Sequence, residues 1–204
     1  GGAGAGGGAV GNGGTITVSD PLSIATGEVQ FNTGTGSTAG DITTSTIDGA
    51  TSLNLTYGGG TLSTGLIGSN TALTGLTYSG TALTLDNNIT LNSGDLTISA
   101  PVTLGSDITV TTNNGAIDFN STIDGGQSLT LVSGSGAITL DGATGGNTAL
   151  SALTINSAGT GTIEVANIEG VSGATAIGNT NTATITLDGT TYSTDGTQTY
   201  TAAT

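Results

Sequence analysis

The phrase TIDGATSLNL at residues 46–55 returns as TIDGGQSLTL at 122–131, 76 positions on. A second pair keeps nearly the same offset, with NTALTGLTYSG at 70–80 answered by NTALSALTINSAG at 147–159. A looser match of 86–102 with 188–204 has an offset of 102, which places an additional segment between Ile155 and Ala183. Long-range self-similarity of this kind marks a chain that stacks units on one another instead of wrapping one round core.

A finer beat runs inside the duplication. Three-residue phrases of apolar, Thr, apolar recur as LTL at 83–85, ITL at 89–91, LTI at 96–98, VTL at 102–104, ITV at 108–110, LTL at 129–131 and ITL at 138–140. Alternation with period two and β-branching reads as short strands, and the Gly, Asn, Ser and Asp between them read as turns. No stretch keeps a helical period. Hairpins would call for Asn-Gly or Asp-Gly pairs at two-residue spacing, which do not recur regularly. A parallel coil with three short strands per rung needs no such pairs, and the phrases then repeat every rung, about 19–25 residues. On this register Leu83, Val102 and Thr122 stack, as do Ile108 on Leu129 and Ile117 on Ile138. Four turns of about 19 residues account for the duplication.

The sequence therefore predicts an all-β parallel β-helix (β-solenoid). A glycine-rich arm spans 1–14, and a coil of about nine to ten rungs spans 15–204. Leu83, Leu85, Ile108, Val110, Leu129, Leu131, Ile138 and Leu140 are expected inside, with the middle threonines outside. Aromatic residues make up only 3% of the 204, so the core must be thin and built from stacked aliphatic side chains.

Charge removes whole classes of function. Fourteen carboxylates stand against no Lys, Arg or His, a formal charge of −14. Nothing can neutralise phosphate, so nucleic acid is excluded as a partner. Each carboxylate must meet water, backbone N–H groups or a cation, and most are expected in water. Without cysteine there is no disulfide, zinc site or thiol chemistry. No apolar run approaches the length of a membrane-spanning helix, so membrane insertion by a helix is not expected.

The string TIDGGQSLTLVSGSGAITLDGATGGNTALSALTI, followed later by DGTQTYTAAT, resembles the repeats of large secreted bacterial adhesins of the filamentous-haemagglutinin type. The resemblance covers residues 40–204 and implies a right-handed parallel β-helix that serves as a stalk or adhesive fibre outside the cell. The Asn-Pro motif of that family's secretion domain does not occur, since Pro21 follows Asp20 and Pro101 follows Ala100.

Candidate chemistry is sparse. The carboxylate pairs Glu164 with Glu169 and Asp118 with Asp124 are the nearest acid–base sets, but no partner group accompanies them and no reaction is expected. Calcium is the one cofactor that an acidic chain with recurrent Asp-Gly turns would take. The glycine-rich calcium repeat and the EF-hand spacing are both absent, so no cofactor is expected. A single outward Thr per strand argues against an ice-ordering face.

The expected function is structural: a subunit or repeat segment of an extracellular or cell-surface bacterial filament or adhesin stalk. Its partners are copies of itself, joined end to end. Gly1, Gly2, Gly6, Gly7, Gly8, Val10, Ile16, Val18 and Tyr200 are the expected junction residues. The alternative is an adhesin module that binds carbohydrate or a host surface through the outer face, using Tyr57, Tyr78, Tyr192 and Tyr200. A chain without Lys or Arg also offers trypsin no cleavage site.

Overall fold

The computed structural model describes residues 13–156 and 158–204. Gly1, Gly2, Gly6, Gly7, Gly8 and Val10 of the expected junction lie outside the described residues. Among the described residues there is no helix, only short strands. In chain order these begin with β1 (Ile16–Val18), β2 (Leu22–Ile24), β3 (Val29–Asn32), β4 (Ile42–Thr44), β5 (Ile47–Gly49), β6 (Ser52–Thr56) and β7 (Leu62–Thr64). The middle of the chain adds β8 (Gly75–Ser79), β9 (Leu83–Leu85), β10 (Ile89–Thr90), β11 (Leu96–Ile98), β12 (Val102–Leu104), β13 (Ile108–Thr111), β14 (Ile117–Phe119) and β15 (Ile123–Asp124). The remainder holds β16 (Ser128–Val132), β17 (Ile138–Leu140), β18 (Ala152–Ile155), β19 (Ile163–Val165), β20 (Thr175–Gly178), β21 (Ile185–Leu187) and β22 (Gln198–Thr201).

Every strand pairing is parallel and joins residues about one turn apart. The chain is a three-faced β-solenoid. Its first face stacks β1, β4, β7, β9, β12 and β15, then continues through single bridging residues Thr144, Ile168 and Tyr192. The second face runs from β2 and β5 through Ile67 to β10, β13, β16, β18, β20 and β22. The third is one continuous eight-stranded sheet from β3 to β21.

Eight turns separate Ile16 from Tyr192, the longest running from Ile16 to Ile42 and the shortest from Leu83 to Val102. Two faces thus carry nine layers and the third eight, where a uniform beat of about 20 residues predicts nine to ten. The count stands at the low end of that range because the first turn, Ile16 to Ile42, and the last two, Thr144 to Ile168 to Tyr192, are longer than the rest. At the usual spacing of parallel strands the rod is about 38 Å long.

Inward and outward positions alternate as the phrases predict. All eight residues expected inside are at most 2% exposed, and the middle threonines Thr84, Thr103 and Thr109 are exposed. The stacks Ile108 on Leu129 and Ile117 on Ile138 hold. One stack does not: Val102 pairs with Ile123, and Thr122 sits one residue earlier, at the corner. The next inward slot needs an apolar side chain, and Ile123 fills it at 0% exposure.

The duplication is also placed differently from the expectation of four whole turns. Ile47 of the first TIDG lies on the second face, and Leu53 and Leu55 lie on the third. Their counterparts Ile123, Leu129 and Leu131 lie on the first and second faces. Leu76 and Tyr78 are likewise on the third face, while their counterparts Leu153 and Ile155 are on the second. The repeated words are therefore eleven sides apart, three turns and two sides. The physical reason is that all three faces ask for the same thing, an inward aliphatic pair flanked by a turn, so one word fits any of them.

The corners between second and third faces are built from glycine. Gly94, Gly115, Gly136 and Gly161 stack one per turn, and a Cβ on Gly115 or Gly136 would lie 2.0 Å from the carbonyl oxygen of the glycine below. Only a residue without a side chain lets successive corners approach this closely. Just inside, the Thr112 and Ser133 hydroxyls donate to the carbonyl oxygens of Gly115 and Gly136, both at 2.6 Å, which closes each corner on itself.

Candidate assembly surfaces

The words that recur in sequence are bonded to each other in space. Asp48, from the first TIDG, accepts the backbone N–H groups of Asn70 at 2.8 Å and Thr71 at 3.2 Å, and the Asn70 side-chain amide at 3.0 Å. Asp124, from the second, accepts the same three donors from Asn147 and Thr148, at 2.7, 3.1 and 3.0 Å. TIDG and NTAL thus recur as a pair because one holds the other across a single turn. Asn167 repeats the role on Thr190 and Thr191 with a neutral amide oxygen. Asp41, Asp95 and Asp107 each accept one backbone N–H from the next turn, from Thr61, Ala116 and Ser128. The expectation that most carboxylates simply face water omits these brackets, which supply partners for turn amides that no strand ladder reaches.

The brackets make the coil sensitive to acid. Backbone N–H donation from Thr61 and Ser128 holds Asp41 and Asp107 below the ordinary carboxylate range. Burial pushes Asp48 and Asp124 upward, but the amides of Asn70, Thr71, Asn147 and Thr148 outweigh it and the net shift is down. A carboxyl whose pKa is depressed by folding stabilises the fold above its unfolded value of about 3.9, and that contribution is lost as pH falls through the folded value. Asp118 has the opposite sign: burial, with Asp95 and Asp141 nearby, raises it. The expected result is a urea midpoint that falls below about pH 4. In an Asp48→Asn, Asp124→Asn double variant the amide oxygens keep the bracket, as Asn167 does, and the midpoint falls less. Parallel declines of the two proteins would dismiss the brackets as the cause.

The candidate catalysts are not assembled. Glu164 lies on β19 of the third face, whereas Glu169 follows Ile168 on the first. Asp118 and Asp124 are divided between the third and first faces in the same way. Among the described residues no cluster of three or more acids could hold a metal ion. The tyrosine route to surface binding needs correction, because Tyr57 and Tyr78 are 1% and 0% exposed. Tyr78 takes an inward slot beside Leu55, and the Tyr57 ring occupies the space a Cβ on Gly80 would fill. Tyr192 and Tyr200 are half-buried in the last layer, where the Tyr192 hydroxyl accepts the Gly189 N–H and donates to the Val165 carbonyl.

Among the described residues, the surfaces left without a counterpart are the two ends. Ile16 and Val18 on β1 are half-buried at one end, and Tyr200 on β22 is half-buried at the other. One chain therefore does not bring these expected junction residues together. The structure adds Leu22, Val29 and Phe31 to the first end and Ile185, Leu187 and Tyr192 to the second. Leu187 continues the inward column of Leu140 and Val165 yet is 42% exposed, because no layer lies on it. These residues could have been found by extending the inward register of the triplets to the outermost layers. No family model, curated protein or solved structure matches the chain.

Proposed function

We propose that this chain is a structural rod, a building block of an extracellular bacterial filament or adhesin stalk in which copies stack end to end. The observation that carries the reading is that, among the described residues, no layer covers the apolar column at either end, with exposed Leu187 at one and half-buried Ile16, Leu22 and Phe31 at the other. Among the described residues, each end also presents backbone N–H and C=O groups of edge strands, which template further parallel pairing. The rest of the surface offers neither a metal cluster among the described residues nor a cationic side chain. Length and stiffness are what such a coil provides, and no cofactor enters.

The test is particle sizing with electron microscopy of the purified chain at 0.15 M salt. Rods several copies long are expected, shortening at low ionic strength, where subunits of charge −14 repel over a longer range. Deletion of residues 1–14 is expected to shorten them further. A monodisperse full-length monomer at every salt concentration would remove the filament reading, and unchanged rods after the deletion would leave the arm without a role.

A further inference from the structure

We infer that successive copies stack with each one turned by one face relative to the copy below, the same rotation that separates the duplicated words within the chain. The inference rests on the end-to-end reading above and specifies its junction. A coil of this kind has a step at each end. At the start, among the described residues, β1 on the first face is the lowest strand, followed upward by β2 and β3 on the second and third. At the finish, β21 on the third face is lowest, then Tyr192 on the first, then β22 on the second. Two steps close without a gap only when lowest meets lowest. That places β1 of the incoming copy on β21, β2 on the Tyr192 layer and β3 on β22.

Three independent features fit this placement. Strand lengths match, with three-residue β1 on three-residue β21 and four-residue β3 on four-residue β22. The unrotated alternative would set four-residue β3 on β21 and three-residue β2 on β22. Most inward side chains also match: Ile16 and Val18 would cover Ile185 and Leu187, and Phe31 would stack on Tyr200, while Val29 would lie over the polar Gln198. Finally, the shift from first face to third, second to first and third to second is the one already made between Ile47 and Ile123 and between Leu53 and Leu129. The junction would repeat an arrangement that the chain accommodates internally.

The absence of native cysteine permits a direct test. Thr17, Ser23, Gln30, Thr186 and Thr199 are exposed, outward residues of the terminal strands. Neighbouring Cα atoms in paired strands are about 4.8 Å apart, within disulfide range. Under dilute mild oxidation, the double variants T17C/T186C and Q30C/T199C are expected to give reducible multimer ladders on a non-reducing gel. Q30C/T186C and S23C/T199C, which test the unrotated junction, should give at least tenfold less product. T17C/T199C and S23C/T186C, which test the remaining rotation, should also stay unlinked. Ladders confined to either alternative set, or equal in all six, would overturn the rotation while leaving end-to-end stacking in place. No ladder in any variant, together with a monomer by sizing, would overturn both.

Discussion

Gly136→Ala is expected to destabilise the coil by about 3 kcal/mol, the upper end of the usual range for overpacking. The new methyl would fall 2.0 Å from the Gly115 carbonyl oxygen, which belongs to the backbone and cannot swing aside. Relief requires a corner to open, and the corner is held by the Ser133 hydroxyl on the Gly136 carbonyl at 2.6 Å. The matched control is Gly126→Ala, where a Cβ would meet nothing within 4 Å and no positive φ is involved. Urea unfolding of the two variants decides the matter. Equal midpoints would mean that the corner yields freely and that the glycine column is incidental.

Phe119→Ala is expected to cost about 3–5 kcal/mol, as truncation of a buried aromatic ring usually does. Phe119 is 1% exposed and stacked between Ile98 and Leu140 on the third face. Because each layer touches only its neighbours, damage in the middle of the rod weakens the coupling between the two halves as well as the total. Unfolding should therefore change from one transition to two, with the segment beyond β14 and the segment before it melting apart. Thr109→Ala, at an exposed outward position of the adjacent β13, should change little. A single sharp transition in the Phe119 variant would show that coupling extends beyond adjacent layers.

Much of this architecture was legible because its rule is local. A triplet such as Leu83–Thr84–Leu85 declares which side chains go in, and the recurrence of the triplet at Val102–Leu104 declares what they stack on. The register failed only at Thr122, where the triplet rhythm breaks and Ile123 takes the inward slot instead. What could not be read was the face on which each word lands. The turns are unequal, from the short step between Leu83 and Val102 to the long one between Ile16 and Ile42, so the offset between duplicated words does not determine a whole number of them. The inner polar residues were hidden for a related reason. Thr144 and Thr175 occupy inward slots, buried and without a hydrogen-bond partner for their hydroxyls, although threonine elsewhere in the pattern marks the outside. Thr and Val have nearly the same shape, and a stack that is well packed above and below tolerates the polar atom.

At the ends, the sequence named Ile16, Val18 and Tyr200 but missed Leu187, which looks in isolation like every other leucine of the pattern. It is exposed on the outermost strand of the third face. The Asp brackets were missed for a different reason, since an Asp-Gly turn looks the same whether its carboxylate faces water or the next turn's amides. Only the joint recurrence of TIDG and NTAL could have signalled the bond between Asp48 and Asn70.

The displacement of the duplicated words by one face bears on mechanics. A beam whose section repeats itself every third of a revolution has the same second moment of area about any transverse axis, so it has no weak direction in which to buckle. Placing equal words on the second and third faces low in the rod, and on the first and second higher up, spreads the same material around the axis. Two copies of one phrase on different faces move the section toward that condition, so no single face of the coil is set apart by them.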